Sequence, residues 1–267
     1  MSHRYLTETT WRETREAAPD AIALLPIGSQ EQHAAHLPLG TDTLLAEAVT
    51  ERALAHLAER ATAGERIPHV VRLPTLPYGH SPHHLFAAAL TLSAHTLGLV
   101  LDEILDSLAA TGHRRVLLVN GHGGNDEIMR LAVKRFALRA DVTAAACSYW
   151  SLGEAADTEP EHAPLVPGHA GWYETSLMLA AHPELVRTPV PGRAPVDPPP
   201  LFDRPPYPGL TTERHGEWER VGGSTDDASG ADAERGAALL DARVRALADA
   251  VLAFDRATGT GTVSGTG

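Results

Sequence analysis

The sequence predicts an α/β fold built on a mostly parallel sheet, and three observations carry that expectation. Residues 115–120 (RVLLVN) form a nearly continuous apolar run, as required of a strand covered on both faces of a parallel sheet. A helical stretch, 126–140, separates that run from a second strand-like segment, 142–149. Strand, helix and strand at these lengths make a βαβ unit. The same alternation begins earlier, where the apolar run 21–26 precedes a long helical pattern.

Taken in order, Thr10-Trp11-Arg12-Glu13 has capping-box spacing and opens a short helix ending before Pro19. Residues 21–26 are the first strand, broken at Gly28. A loop follows, and Asp42 is placed to cap a helix whose Leu45, Val49, Ala53 and Leu57 share one face. Residues 70–73 read as a short strand closed by Pro74, followed by the turn-rich, histidine-rich TLPYGHSPHH. Ser93 precedes an amphipathic helix that Gly112 should stop. After the βαβ unit come a polar loop, 150–168, and a helix, 173–181, with Pro183 just beyond it. Residues 186–230 carry many prolines and little periodicity, which predicts an extended surface arm, at a subunit contact in an assembly. A final helix, 231–257, leads into TGTGTVSGTG (258–267), expected to be disordered. One domain, 1–257, is the simplest count.

Composition narrows the class of function. The 267 residues suffice for one large core, and 43% hydrophobic with 21% charged residues suits a soluble globular protein. A net charge of −12 argues against nucleic-acid or anionic-membrane partners. Neither an apolar leader nor a membrane-length run is present, so a cytoplasmic location is expected. With Cys147 as the single cysteine, a thiolate zinc cluster is excluded.

Fifteen histidines are many for this length, and the clustered ones matter. Glu31, His33, His36 and Asp42 crowd the loop after the first strand, where open α/β sheets bind ligands. Carboxylates with imidazoles suit a divalent metal ion. The competing reading makes Asp42 only a helix cap. His36 fits a ligand set less well and is placed behind the ligands or toward substrate. His122 is flanked by Gly121, Gly123 and Gly124 at a strand's carboxyl end, which fits a ligand held above the sheet. The stretch has neither the GxGxxG spacing nor the following Lys-Ser/Thr of a phosphate loop. His169 lies in a loop, and Glu174 starts a helix, where an acidic residue commonly just complements the helix dipole.

Together these stretches resemble the creatininase family (creatinine amidohydrolase and its relatives). The matching segments are PIGSQEQHAAHLPLGTD, NGHGGN and HAGWYETS, in the family's order, with SYW at 148–150 also similar. The resemblance implies a three-layer α/β/α sandwich, two divalent metal ions per chain (zinc, with manganese or iron also expected) and a homohexamer. Carried over, Glu31 and His122 bind one ion, His33 the other, and Asp42 bridges them. Creatininase itself has a carboxylate at the position of Gly124, so Glu174 becomes the substitute ligand and the resemblance points to a member other than creatininase proper. Phe86-Ala87-Ala88-Ala89 stands where many members read FPGT.

The function implied is metal-dependent hydrolysis of a non-peptidic or cyclic amide, such as a creatinine-like ring, a lactam or a formamide. His169 would protonate the leaving nitrogen, with Glu174 beside it. Ser81, His84, Trp150 and Trp172 would line the substrate pocket. The alternatives are a peptidase of the mycofactocin-precursor type within the family, or a metal-binding scaffold without turnover.

Overall fold

The computed structural model describes residues 3–153, 166–193, 196–202 and 205–259. The expected tail therefore lies outside the described residues beyond Gly259, as does the middle of the 150–168 loop. Five strands form one all-parallel sheet: β1 (His3–Tyr5), β2 (Ile22–Ile27), β3 (Val70–Arg72), β4 (Arg115–Asn120) and β5 (Thr143–Ser148), ordered β1-β3-β2-β4-β5. The helices are α1 (Trp11–Ala17), α2 (Thr41–Thr62), α3 (Ala94–Thr111), α4 (Asp126–Arg139), α5 (Trp172–Ala181), α6 (Glu217–Arg220) and α7 (Ala233–Thr258).

Alternation along the strands makes three layers. Ile22 and Leu24 of β2 and Leu117 and Val119 of β4 face Leu45, Val49 and Leu57 of α2, together with α5 and α7. Ala23, Leu25, Val116 and Leu118 face the opposite way, onto Leu97, Leu101 and Leu105 of α3 and Met129 and Phe136 of α4. Each fully buried leucine contributes about 2 kcal/mol of transfer free energy, so both helical layers are held by apolar burial. The expected sandwich is the architecture observed.

Local signals hold at most boundaries. Thr10 and Glu13 form the reciprocal capping box of α1. Ser93 caps α3, and Gly112 ends it with φ of 117°. Three expectations are corrected. Asp42 is not the cap of α2: the cap position is Gly40, and the Asp42 side chain turns from the first helical turn toward histidines. Strand β1 was not anticipated, because His-Arg-Tyr shows no apolar alternation; it pairs with β3 through its backbone. The 186–230 stretch is not simply a surface arm. It carries α6, buries Glu217, Val221, Ser224 and Ala228, and folds against the carboxyl ends of the strands.

This topology also fixes where a ligand belongs. From β2 the chain leaves toward β3, whereas from β4 it leaves toward β5 on the other side. The strands β2 and β4 are neighbours in register from Ile22↔Arg115 to Ile27↔Asn120, so their following loops start level. Loops diverging from adjacent parallel strands open a crevice between them.

Candidate metal centre

The crevice is filled by the residues that the sequence marks. Asp42 is brought between the two strand ends because Gly121 lets the start of α2 approach; a Cβ there would strike the Asp42 carbonyl. Glu31, His33, Asp42, His122, His169 and Glu174 are all buried, and ligand atoms converge in three groups. These are Glu31–Asp42–His122, His33–His169–Glu174 and Glu31–His84–His169. His33 and His169 come from loops far apart in sequence, and the fold makes them ring neighbours at 4.3 Å.

Hydrogen bonds to backbone carbonyls define the tautomers of three histidines. His33 Nδ1–H donates to the Glu31 carbonyl at 3.0 Å, and His122 Nε2–H to the His80 carbonyl at 3.0 Å. His169 Nε2–H donates to the Gln32 carbonyl at 2.7 Å. A carbonyl only accepts, so the other nitrogen of each ring presents a lone pair. Those lone pairs all face carboxylates. His33 Nε2 lies 3.1 Å from Asp42 and 3.6 Å from Glu174; His122 Nδ1 lies 3.2 Å from Asp42; His169 Nδ1 lies 3.4 Å from Glu31. Two electron-rich atoms opposed in a buried site require a cation between them, either a proton or a metal ion. Anchoring one ring nitrogen to a carbonyl while the other ligates is the usual arrangement around bound metals. Glu31 Oε1 and Asp42 Oδ2 are moreover buried without a hydrogen-bond partner. The donor set therefore fits divalent metal.

Without metal, protons carry that charge at His33 and His122. Burial works against the imidazolium of His33, yet Asp42 and Glu174 outweigh it and lift its pKa to about 10. His122 is raised in the same way, with burial overcome by Glu31 and Asp42. Burial would raise Asp42, but His33 and His122 hold it below the usual carboxylate range. Glu174 goes the other way: burial dominates and raises it, only partly countered by His33. Burial and the neighbouring His33 and His84 keep His169 neutral, well below the ordinary histidine value.

The remaining expected residues are placed as follows. His84 lies 3.4 Å from Glu31, accepts from Gln32 Nε2–H at 2.8 Å and lines the cavity over the site. Ser81 stands behind Glu31: its hydroxyl meets that of Ser29 at 3.0 Å, and Ser29 donates to Glu31 at 3.0 Å. His36 sits behind the ligands, 2.8 Å from the Thr175 hydroxyl. Trp150 and Trp172 are not on the cavity wall. Trp150 packs edge-on to Tyr149 against the core, and Trp172 lies under Arg235 with its Nε1–H donated to the Gly230 carbonyl. The aromatic on the wall is Trp218 of α6. The cavity, 480 Å³, is lined also by His80, His83, Glu127 and Glu213. Gly124 has no room for a side chain, since a Cβ would strike the His80 carbonyl.

His169 is held from the proline-rich stretch: Thr225 accepts from its N–H at 2.7 Å and donates its own N–H to the His169 carbonyl at 3.0 Å. Sequence reasoning missed Trp218, Gln32 and Thr225. A lone tryptophan followed by Gly-Gly-Ser-Thr in a proline-rich stretch was the available signal for the first and last. Ala170, after His169, adopts φ of 51°, a left-handed conformation costly for alanine, and its N–H donates to Glu174 at 2.7 Å.

Comparison with known proteins agrees with this geometry. The family model for creatinine amidohydrolase matches residues 7–251. Creatinine amidohydrolase of Pseudomonas putida is 31% identical across 92% of this chain and 95% of its own length. Mycofactocin precursor peptide peptidase of Mycobacterium ulcerans (strain Agy99) is 39% identical across 62% of this chain and 60% of its own length. A crystal structure of creatininase superposes with a TM-score of 0.72 at 30% identity, covering 96% of this chain and 98% of that one. Manganese and zinc forms of creatininase also match, at 29% and 30% identity. With its strand order, its crevice and its donor set in place, the chain belongs to the creatininase family of amide-bond hydrolases.

Proposed function

We propose that the chain uses a binuclear metal centre to hydrolyse a small, non-peptidic or cyclic amide. Glu31, Asp42 and His122 would hold one ion, and His33, Asp42 and Glu174 the other, with Asp42 shared. The observation carrying this reading is the set of histidine lone pairs turned toward carboxylates around a common cavity. Manganese and zinc, the metals of the related creatininases, suit imidazole with carboxylate ligation. When bound, paired ions activate water near neutral pH and polarise a carbonyl.

The chain's own residues supply the rest. His169 is neutral with Nδ1 bare, so it fits accepting a proton before donating one. It takes a proton from the attacking water and returns it to the leaving nitrogen, acting as base and then acid. Ala170 N–H and the α5 turn aim Glu174 at the cavity. His84, tied to Gln32, bounds the substrate on the side of Glu31. A mycofactocin-type peptidase is the second reading, favoured by the 39% identity over the shared portion. Against it, the stretch carrying Trp218 closes one side of the cavity, which suits a compact substrate better than an extended peptide.

The test combines metal analysis with a substrate panel. Protein purified without chelator should hold two divalent ions per chain, and Glu174→Ala should lose one. A lactam, a formamide or creatinine should be turned over in preference to a peptide ending in Val-Tyr. A chain that takes up no metal after supplementation would sink the reading.

A further inference from the structure

One cavity residue has no part in holding metal or moving protons. The Trp218 ring lies 5.0 Å from that of His83, 4.9 Å from His84 and 5.9 Å from His169. Phe202 covers one of its faces at 4.1 Å, the planes only 4° apart. Glu213 accepts a hydrogen bond from its side chain. With one face and the N–H engaged, the indole is fixed in orientation, and it lines the cavity beside those three histidines. Among the described residues no lysine or arginine lines this cavity, whereas Glu127 and Glu213 remain on the wall once Asp42 and Glu174 are taken by metal.

We propose that Trp218, backed by Phe202, is a specificity-determining residue that selects flat, π-delocalised amides of neutral or positive charge. This rests on the amide-hydrolase reading above. A fixed aromatic face attracts a flat conjugated ring or a delocalised cation through dispersion and its quadrupole. A puckered, saturated ring meets it with fewer atoms, and an anion meets the two glutamates. The position of Trp218 follows from the anchoring of its segment: Gly223 accepts from Gln32 at 2.9 Å, and Thr225 clasps His169.

The experiment uses the metal-loaded full chain, with wild type, Trp218→Leu and Trp218→Phe. Ligand-observed NMR titration with creatinine (flat, conjugated) and 2-pyrrolidinone (puckered, same ring size) gives dissociation constants, and KM and kcat are measured wherever turnover occurs. The wild type should prefer the flat ring. Trp218→Leu should weaken creatinine about ten-fold and leave 2-pyrrolidinone within about two-fold. Trp218→Phe should keep most of the flat-ring affinity. Equal weakening of both ligands, no weakening, or no flat-ring preference in the wild type overturns the proposal. Metal content should be equal in all three proteins. Should Trp218→Leu lose metal, Phe202→Leu decides: it removes only the backing ring and must reproduce part of the flat-ring loss, or the proposal fails. A retained flat-ring preference without any hydrolysis would reject the hydrolase reading and leave the role of Trp218 standing.

Discussion

His169 and Thr225, 56 residues apart, are joined like paired strand residues: the histidine N–H meets the threonine hydroxyl at 2.7 Å, and the threonine N–H meets the histidine carbonyl at 3.0 Å. The proline-rich stretch thus holds a residue of the candidate site. Thr225→Ala removes the acceptor and leaves a part-buried N–H without a partner, costing about 1–2 kcal/mol. Thermal unfolding should register that loss, and kcat should fall while metal content stays constant. Wild-type kcat in the variant would mean that His169 is held adequately by its bond to the Gln32 carbonyl.

Asp42 touches histidines of both proposed ion positions, His33 at 3.1 Å and His122 at 3.2 Å. Asp42→Ala should bring bound metal and activity close to zero, whereas Glu174→Ala should lose a single ion. Plasma mass spectrometry on both variants checks the difference. Retention of two ions without Asp42 would refute the shared-ligand arrangement.

Metal affinity should rise with pH. In the metal-free protein His33, lifted to about 10, and His122, also raised, carry protons at neutral pH. A metal must displace those protons, so the affinity gains up to about ten-fold per pH unit for each proton released, until the site deprotonates unaided. Calorimetry in buffers of different ionisation enthalpy reads the proton count directly. An affinity that does not change between about pH 6 and pH 8 would contradict the protonated resting state.

Restoring the carboxylate of creatininase at position 124 should not restore its ligand set. Any side chain on residue 124 collides with the His80 carbonyl, so Gly124→Glu must shift the loop that also anchors His122. We expect a loss of about 1–3 kcal/mol in stability and weaker metal binding, measured by thermal unfolding with and without metal. A variant with unchanged stability and tighter metal would show that the loop yields easily.

The sheet and the loops that carry the candidate site were legible because each rests on local signals. The apolar run of β4, the capping box at Thr10 and the stop at Gly112 all act over a few residues. Glu31, His33 and His122 could be singled out because they follow strand ends closely, and Asp42 because it opens the next helix. The role of Asp42 was less evident, since an acid beside a helix start reads equally as a cap or a ligand. Only its position between two strand ends, allowed by Gly121, separates the two readings. Trp150 and Trp172 show the limit of motif reasoning: both stand next to motif residues in sequence, yet their rings turn toward the core and toward α7. What brings Trp218 in their stead is contact across the chain, with no periodicity to announce it.

The division of labour between the strand-end loops and the segment around α6 has a consequence for how such a protein can change. In the proposed reading the chemistry rests on the strand-end loops, where Glu31, His33, Asp42 and His122 are buried. One side of the cavity, with Glu213 and Trp218, is supplied by a polypeptide excursion fastened at Gln32 and His169. Mutations around Trp218 that spare Thr225 and its clasp on His169 can exchange one clientele of amides for another without disturbing the residues at the strand ends.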